Sequence, residues 1–457
     1  MATKSRLRIV ILGAGFGGLY TALGLEKLDR SAEVFDVTLV NRDNYFTMTP
    51  LLFEAGSGII EPRHAVTPIR TLLRKSRFVE ADVEGVDFSR SVVTVRNAPS
   101  LEAFDLPFDH LVFALGGVTN TRLIPGSEYA FTFKTLADAI FLRNHLIDIF
   151  ERAVIEPDPQ KRRDLLCVVI IGGGLVGVEL CGEVNQFLKH LCKSYPAIPS
   201  DQMTLHLIDS GEQILSELEP DLAQHAYETL VGRGVNIRRK TRVRAIEAGR
   251  VLLPDDSELR SATIILAAGV APAPVLQRID LPKDRRGKLQ TSGAMQVEGT
   301  TNVWALGDCA AVPDPDGQPY PPLAQHALRQ ARVLAKNLLA TARGEPLQPF
   351  VYTSLGALAS LGHFDGVGKL MNVKIRGFLA WWVWRTYYLS QMPRWDRKIR
   401  LVIDWTTALF FKYDIVKLDL FGQAHPIHGP ASAEKAADDL DDARASSLTD
   451  KNVTVVR

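Results

Sequence analysis

The stretch Ile9-Val-Ile-Leu-Gly13-Ala-Gly15-Phe-Gly17-Gly18 decides the fold of this chain. A short apolar run, typical of a buried strand, ends in a glycine-rich turn, and a helix-like segment from Leu19 to Leu28 follows. In a dinucleotide fold Gly13 makes the tight turn, Gly15 lets the backbone approach a pyrophosphate, and Gly18 lets the helix pack close to the strand. The stretch therefore predicts a strand, a phosphate-binding turn and a helix.

The same pattern occurs a second time, from residue 167. The apolar run Cys167-Val-Val-Ile-Ile171 predicts a strand, Gly172-Gly-Gly174-Leu175-Val176-Gly177 predicts the turn, and the segment from Val178 to Glu183 opens the helix. The next apolar strand, Thr204 to Ile208, ends at Asp209, whose carboxylate would bind a ribose diol and repel a 2′-phosphate. Two fingerprints, each in its own strand–turn–helix setting, predict two dinucleotides, the second NADH rather than NADPH.

The composition is that of a globular protein with no polyanionic partner. The chain has 457 residues, 46% of them hydrophobic and 23% charged, which is enough for two or three domains. The formal net charge of +1 gives no reason to expect nucleic acid as a partner. The four cysteines form neither a close pair nor a metal-ligand spacing, so we expect free thiols, a reducing setting and no metal site.

The distribution of apolar residues bears on location. The first strand begins near Leu7, which leaves no room for a signal or transit peptide, so we expect the chain to begin in the cytosol. No apolar run reaches the roughly 20 residues that crossing a bilayer requires. The best candidate, Gly377 to Leu389, is short and contains Arg385, so it can at most lie on a membrane surface.

Three further strand ends carry residues suited to a nucleotide. The strand from Val37 to Val40 ends at Asn41-Arg42, where a residue that accepts hydrogen bonds from ribose hydroxyls is usual. The strand from Asp109 runs into Ala114-Leu-Gly116-Gly117, and a later strand ends at Gly307-Asp308. A carboxylate at such a position can hold a polyol hydroxyl, although a Gly-Asp pair alone is usually an ordinary turn.

Two other stretches bear on domain organisation. Tyr45 to Gly58, which contains Pro50, is either a solvent-exposed loop before a helix or a segment that covers a flavin. Pro157 to Arg163 is a polar break with two prolines, and it predicts a domain boundary just before the second fingerprint. Between these stretches, Thr135 to Ala153 predicts an amphipathic helix.

Together these segments resemble the two-dinucleotide flavoprotein reductases, the glutathione-reductase-like superfamily, in which a nicotinamide-binding domain is inserted into a discontinuous FAD domain. The resemblance implies an α/β fold with two Rossmann-like domains, one for FAD over residues 1–155 and 286–350 and one for NADH over residues 163–285. It implies FAD contacts at Gly13, Gly15, Gly17, Gly18, Asn41, Arg42, Pro50, Val83, Ala114, Gly116, Gly307, Asp308, Ala324 and Gln325. It implies NADH contacts at Gly172, Gly174, Leu175, Val176, Gly177, Asp209 and Gly269, with Glu179 near the nicotinamide.

The electron acceptor is predicted from an absence and from a short motif. Disulfide reductases exchange electrons through a close cysteine pair, and no cysteine lies between Gly18 and Leu165, so electrons must leave for an outside acceptor. The segment Ala324-Gln325-His-Ala-Leu-Arg-Gln330 resembles the quinone motif of type II NADH dehydrogenases. The resemblance implies that Gln325 and Gln330 position a quinone and form the catalytic set with Glu179. From spacing alone, an amphipathic helix with these polar residues in solvent is the simpler interpretation.

The C-terminal region predicts contact with a membrane surface. Aromatic and basic residues are mixed between Lys374 and Phe411, and residues 351–425 are expected to form an amphipathic helical region. Its aromatic side chains can enter the headgroup layer while cations, among them Arg385, contact anionic lipid. A core or dimer helix pair is the alternative. Residues 426–457, with few apolar side chains, predict a disordered tail.

The resemblance to type II NADH dehydrogenases implies hydride transfer from NADH to FAD and then two-electron reduction of a membrane quinone, without proton pumping. It also implies a homodimer bound peripherally at the cytoplasmic face of a bacterial inner membrane. Two rival functions stay open. One is a soluble reductase that passes electrons to a protein such as a ferredoxin, and the other is a non-catalytic flavoprotein that responds to NADH.

Overall fold

The structure is a computed structural model that describes residues 6–97, 102–354, 356–362, 364–411 and 414–418. The predicted disordered tail, residues 426–457, lies outside the described residues. The strands, in chain order, are β1 (Leu7–Leu12), β2 (Phe35–Asn41), β3 (Tyr45–Thr47), β4 (Val66–Pro68), β5 (Arg77–Glu80), β6 (Asp82–Asp87), β7 (Val92–Arg96), β8 (Ala103–Pro107), β9 (His110–Phe113), β10 (Gly117–Thr119), β11 (Phe131–Thr132), β12 (Cys167–Ile171), β13 (Thr204–Ile208), β14 (Val235–Arg238), β15 (Ala245–Glu247), β16 (Arg250–Leu252), β17 (Glu258–Arg260), β18 (Thr263–Leu266), β19 (Val270–Pro272), β20 (Leu289–Gln290), β21 (Val303–Ala305), β22 (Ala310–Ala311), β23 (Gly356–Ser360), β24 (Gly366–Leu370) and β25 (Val373–Arg376). The helices are α1 (Phe16–Leu28), α2 (Leu52–Ser57), α3 (Leu136–Ile155), α4 (Pro159–Leu165), α5 (Leu175–Ser194), α6 (Pro220–Gly232), α7 (Ala324–Arg343), α8 (Gly377–Gln391) and α9 (Trp395–Phe410).

The first glycine fingerprint lies at the centre of a five-stranded parallel sheet with the order β21-β9-β1-β2-β5. The last four residues of β1 are all buried, as expected for a strand with both faces of its sheet covered. Helices α1 and α7 pack closely, since a Cβ added at Gly24 would lie only 2.8 Å from that of Ala335. The predicted strand, turn and helix are confirmed, within a mixed α/β fold.

The second fingerprint lies in a second five-stranded parallel sheet with the order β11-β18-β12-β13-β14. All five residues of β12 are buried, and apolar side chains of α3, α5 and α6 pack into the same core. A short antiparallel pair, β10 with β19, joins the two units. The chain leaves the first sheet through β10, builds the second sheet, and returns through β19.

The passage between the two units lies earlier than the sequence suggested. Strand β11 pairs in the second sheet and α3 packs into the second core, so residues 131–155 belong there, although residue 155 was the predicted end of the first unit. The predicted break at Pro157 to Arg163 contains helix α4, because Asp158 caps its first turn and proline is compatible with that position. On the return, Leu276 already packs in the first core, ahead of the predicted limit at residue 285.

The segment from Tyr45 to Gly58 is not the solvent-exposed loop that was one of its two interpretations. It contains β3, a short 3₁₀ turn from Thr49 to Leu51, and helix α2. Leu51 and Phe53 are buried, and α2 packs against α3 and α5 of the second unit. The segment therefore contacts both units, the first through Leu51 and the second through α2.

A third unit follows α7. Strands β23, β24 and β25 form an antiparallel sheet, so the region predicted to be helical begins with strands, and α8 and α9 follow. A Cβ added at Gly366 would lie 2.9 Å from the backbone nitrogen of Trp381, so the missing side chain lets α8 lie directly on β24. Among the described residues, no helix combines the length and apolar character that crossing a membrane requires.

Candidate active site

The first glycine turn leaves an open, uncapped helix start. Gly13 has a φ of +97°, and a Cβ added at Gly18 would lie 1.8 Å from the carbonyl oxygen of Gly13. A Cβ at Gly15 would meet no atom within 4 Å, and Gly15 precedes α1 without a side-chain cap. Backbone N–H groups at the start of α1 therefore face open space, which suits a pyrophosphate.

Three neighbouring strands of the first sheet end at glycines with positive φ. Gly13 follows β1, Gly116 follows β9 at +63°, and Gly307 follows β21 at +73°. Asp308 comes next on the same edge, and its carboxylate lies 3.8 Å from the Lys134 amine. The carboxyl ends of these strands thus present backbone and one carboxylate without bulky side chains. The residues present at this edge fit a dinucleotide.

Asn41 and Asp209 hold the two glycine turns in the same way. Oδ1 of Asn41 accepts the N–H of Ala14 at 2.9 Å. In the second unit the carboxylate of Asp209 accepts the N–H of Gly173 and that of Gly211, each at 2.6 Å. A neutral amide therefore supports the first turn as a carboxylate supports the second. In both cases the side-chain oxygens keep lone pairs for ribose hydroxyls.

The other residues predicted for the first dinucleotide surround this edge. Arg42 is exposed and lies 3.5 Å from Asp43. Pro50 lies in the 3₁₀ turn before α2, and Val83 packs against the first core at a bulge in β6. Ala114 and Gly17 are buried where α1 meets β9, so the structure gives them a packing role beneath the turn.

The second glycine turn opens into a cleft of about 1420 Å³. Gly172 has a φ of +115°, and a Cβ added at Gly177 would lie 1.8 Å from its carbonyl oxygen, which repeats the geometry of the first turn. Gly177 is buried beneath the turn. The structure brings most of the predicted NADH residues together in the wall of this cleft: Gly172, Gly174, Leu175, Val176, Asp209 and Gly269.

A smaller, mainly apolar pocket of about 150 Å³ lies at the start of α7. Ala324 and Gln325 line it, and Nε2 of Gln325 donates to Oγ of Ser354 at 3.3 Å. Gln325 also lines the large cleft, so the two cavities share a wall. The rest of the pocket comes from distant parts of the chain, among them Phe16, Leu358, Lys369, Leu370, Tyr387 and Tyr388.

Known proteins match the chain over nearly its whole described length. Residues 7–331 match the pyridine nucleotide-disulphide oxidoreductase family, and residues 354–414 match the C-terminal domain of NDH2. A demethylphylloquinone reductase of Synechocystis sp. is 32% identical over 412 residues, which cover 89% of this chain and 97% of the relative. A type II NADH:quinone oxidoreductase of Staphylococcus saprophyticus is 31% identical over 385 residues, covering 82% and 92% of the two chains.

The chain belongs to the type II NADH:quinone oxidoreductase family. A solved structure of NDH2 from Plasmodium falciparum in complex with NADH has the same fold, with a TM-score of 0.83 over 90% of this chain and 100% of that one. The two sequences are 20% identical, so this likeness bears on the fold alone.

Glu179, predicted to lie near the nicotinamide, is buried where α5 packs on β23 and α8. It is 7% exposed, and its Oε1 accepts the N–H of Ser360 at 3.1 Å and the indole N–H of Trp384 at 2.7 Å. Burial, with the neighbouring Glu183 and Glu54, raises the pKa of Glu179 to about 8. The family resemblance implied a position near the nicotinamide, and the structure adds that this face of α5 packs on the C-terminal unit.

Gln330 does not reach the acceptor pocket. It is 2% exposed, and its Oε1 accepts the N–H of Gly307 at 2.8 Å. Gln325 and Gln330 are five residues apart on α7, which separates them by roughly 140° around the helix axis at about 3.6 residues per turn. Gln330 accordingly does not line the pocket, whereas Gln325 does. Gln330 is not in solvent either, so the simpler interpretation of the motif is also wrong for this residue.

The cysteines support an outside acceptor. All four lie in the described part of the chain and are free. Cys309, next to Asp308, is buried, and burial raises the pKa of its thiol to about 11. A thiol that keeps its proton is a poor nucleophile for disulfide exchange. The described residues contain no group of three or more side chains able to hold a metal ion.

Part of the predicted lipid-binding set faces inward. Arg385 is 6% exposed and pairs with Glu54, and Trp381 and Trp384 are buried. An uncompensated charge would not be buried, so the burial of Arg385 depends on Glu54, a partner on α2 that the sequence of α8 does not reveal. The pocket residues Tyr387 and Tyr388 were missed as site residues, because only the tertiary packing of α8 brings them to α7.

Proposed function

We propose that this protein oxidises NADH and reduces a quinone, with FAD as the carrier between them. The observation that carries the proposal is the shared wall of the cleft and the pocket, which Gln325, Leu175 and Lys369 all line on both sides. A dinucleotide in the cleft and a flat apolar ring in the pocket would thus meet near the start of α7. Curated relatives with the name NADH:quinone oxidoreductase support the assignment.

FAD, when bound, supplies an isoalloxazine ring that takes up a hydride and gives up two electrons. The first glycine turn and the uncapped start of α1 would hold its pyrophosphate. Asn41 would accept a hydrogen bond from its adenosine ribose, and Asp308 from a hydroxyl of its ribityl chain. Gly116 and Gly307 keep the adjoining backbone free of side chains that would obstruct it.

NADH would occupy the large cleft. The turn from Gly172 to Gly177 would hold its pyrophosphate, and the carboxylate of Asp209 would accept hydrogen bonds from the adenosine ribose. The same charge repels a 2′-phosphate, so we infer that NADH is preferred to NADPH.

Reduction of the quinone takes two electrons and two protons, and the hydride of NADH accounts for both electrons and one proton. Gln325 would position the quinone by donating from Nε2 to its carbonyl oxygen. The second proton comes from an acid that is protonated at neutral pH, and Glu179 is such an acid. Trp384, whose indole N–H donates to Glu179 at 2.7 Å, packs edge-on against the pocket residue Tyr388, with the ring centroids 4.8 Å apart. We infer that Glu179 stores a proton for the acceptor side.

Helices α8 and α9 would lie on a membrane that carries the quinone. Their exposed apolar side chains include Phe378, Leu379, Trp382, Trp395, Ile399, Ile403 and Phe410. Lys398 and Arg400 are interspersed with them on α9 and would contact anionic headgroups. Because the acceptor pocket is lined by the last turns of α8, a lipid-soluble ring could enter from this side. In the same proposal the protein is a homodimer at the cytoplasmic face of the inner membrane.

The experiment is a steady-state assay of NADH oxidation by the purified holoprotein, with a short-chain quinone as acceptor, with and without anionic vesicles. The proposal predicts that the quinone supports turnover and that the protein sediments with the vesicles. Faster turnover with a ferredoxin than with the quinone would favour a soluble protein reductase. Reduction of the flavin by NADH without turnover of either acceptor would favour a non-catalytic role.

A further inference from the structure

Arg385 is a buried cation in the middle of the aromatic helix α8. Its Nε donates to Oε1 of Glu54 at 2.9 Å, and its Nη2 lies 2.7 Å from the same oxygen. Its guanidinium carbon lies over two indole rings, 4.1 Å from the centre of Trp381 and 4.8 Å from that of Trp405. One carboxylate and two ring faces therefore replace the water that this cation has lost.

Glu54 completes the arrangement from helix α2. It is 1% exposed, and its Oε2 accepts the indole N–H of Trp405 at 2.6 Å. One carboxylate thus ties α2 to both α8 and α9. We call Glu54, Trp381, Arg385 and Trp405 the arginine cluster.

The arginine cluster lies within one helical turn of the acceptor pocket. Tyr387 and Tyr388 follow Arg385 on α8, and Gln391 one turn later also lines the pocket. On the other side of the cluster, α2 begins directly after the turn that contains Pro50, a predicted FAD contact. The ion pair therefore joins the wall of the acceptor pocket to the segment that contains Pro50.

We propose that Arg385 and Glu54 are positioning residues for the acceptor: their ion pair holds α8 at the depth where Tyr387 and Tyr388 form the wall that receives the quinone. Neither residue lines the cleft or the pocket, so the pair acts through the helix. The inference rests on the proposed function, because it concerns the acceptor side of that reaction.

Variants of a buried ion pair can distinguish an effect on the position of α8 from an effect on the stability of the fold. Removal of one partner leaves the other charge buried and unpaired, which destabilises the fold, whereas two neutral side chains of similar size relieve that cost. The neutral pair does not restore the directional hydrogen bonds that fix the helix. A double variant should therefore recover thermal stability without recovering the geometry of the pocket.

The test compares Arg385→Met, Glu54→Gln and the double variant as flavin-loaded full-length proteins. Three quantities are measured: the thermal midpoint, the rate at which NADH bleaches the bound flavin without oxygen, and the affinity for a short-chain quinone. Affinity is taken both as the KM in turnover and as the Kd from quenching of tryptophan fluorescence in the absence of NADH.

We expect each single variant to lower the thermal midpoint and to raise the KM and Kd for quinone by about tenfold, which corresponds to about 1.4 kcal/mol of binding free energy. The rate of flavin bleaching by NADH should stay within about twofold, since the cleft is not involved. The double variant should recover the thermal midpoint but keep the raised KM and Kd. The matched control is Arg376→Met, which removes an exposed arginine of the same unit that pairs with Asp221, and it should leave quinone affinity unchanged.

Unchanged quinone affinity in the flavin-loaded single variants would overturn the inference, as would a double variant that recovers affinity and stability together. If Arg385→Met does not retain flavin, Glu54→Gln decides by the same two outcomes, because glutamine keeps an acceptor for Trp405. A wild-type protein that binds the quinone without reducing it contradicts the proposed function alone, since the Kd comparison still decides the inference. A wild-type protein that does not bind quinone contradicts both.

Discussion

At the scale of single residues, the nucleotide sites depend on positions where a Cβ has no room. Gly18 and Gly177 each place their α-hydrogen where a methyl group would lie 1.8 Å from a carbonyl oxygen of the turn. No rotamer relieves such a contact, because the Cβ is fixed by the backbone. The turn itself has to move, and with it the N–H groups that face the open edge.

Substitution of Gly18 by alanine is therefore expected to cost the protein its flavin. Overpacking of this kind costs roughly 1–3 kcal/mol, and here the cost falls on the phosphate-binding turn. Purified Gly18→Ala protein should show less than a tenth of the flavin absorbance of the wild type per mole of chain. The control is Gly232→Ala at the end of α6, where a Cβ meets nothing within 4 Å. Full flavin content in Gly18→Ala would contradict the assignment of the first edge.

We expect Glu179 to give the acceptor reaction a pH dependence. Its pKa is raised to about 8, so it holds a proton below that pH and loses it above. We expect kcat/KM for quinone to fall as the pH rises through about 8, while bleaching of the flavin by NADH stays level. In Glu179→Gln the fall of kcat/KM at alkaline pH, the alkaline limb of the profile, should disappear. The rate of quinone reduction at pH 7 should fall by about tenfold or more. An unaltered alkaline limb in the variant would show that another group supplies the proton.

The residues that sequence analysis placed well are those whose role is local. Gly13, Gly172 and Asp209 could be predicted because a tight turn and a strand end determine them within a few residues of chain. Arg385 was misplaced, and the burial of Glu179 was not predicted, because packing against distant units decides which way a helical side chain faces. The motif placed Gln330 beside Gln325 at one pocket. The helical period separates the two side chains by roughly 140° around the axis of α7, and this was not taken into account.

At the scale of elements, the strand–turn–helix units are determined by local sequence, whereas the boundaries between them are determined by distant contacts. Each unit is encoded by hydrophobic periodicity and glycine over about 20 residues. Strand β11 has only two residues, and its place in the second sheet depends on pairing with β18, more than 130 residues further along. Local polarity marked Pro157 to Arg163 as the break, but long-range pairing decides where the units divide.

Helix α9 carries the prediction that belongs to this scale. Ile399 and Ile403 lie one turn apart on its exposed face, 57% and 55% exposed. We expect the double change Ile399→Asp and Ile403→Asp to lower partition onto anionic vesicles by about tenfold or more, because it removes apolar insertion and adds like charge. Sedimentation with vesicles measures this, and flavin bleaching by NADH should not change.

The control for that prediction is Ile155→Asp, at the exposed end of α3. It adds the same kind of charge away from α8 and α9, so vesicle binding should be retained. If the α9 variant instead keeps its vesicle binding and loses a dimer seen by sedimentation in solution, the exposed face is a dimer surface and the membrane assignment is wrong.

At the scale of the whole molecule, the three units meet at one buried junction that holds more acid than base. Glu183 is 2% exposed, and its Oε2 accepts a hydrogen bond from Ser57 at 3.2 Å. Burial, and then the charge of Glu54, raise its pKa, while Arg385 and Arg233 act in the opposite direction. We therefore expect the stability of this junction to depend on pH.

The raised pKa of Glu183 determines the direction in which stability changes with pH. An acid whose pKa is higher in the folded state contributes its stability below the unfolded value, near 4.5, and loses it as the pH rises through the folded value. We expect the urea midpoint of the wild type to fall between pH 5 and pH 9. Glu183→Gln, which cannot ionise, should reduce that fall. An identical fall in wild type and variant would mean that Glu183 does not ionise differently in the two states.

In the proposed reaction, one flavin connects a cleft for NADH to a pocket for quinone across the wall that contains Gln325. The most direct measurement is a titration without oxygen, in which one equivalent of NADH is added to the holoprotein and then one equivalent of a short-chain quinone. We expect NADH to bleach the flavin absorbance, and the quinone to restore it while one equivalent of quinol forms. A flavin that stays bleached in excess quinone, or that only a protein acceptor reoxidises, would contradict it.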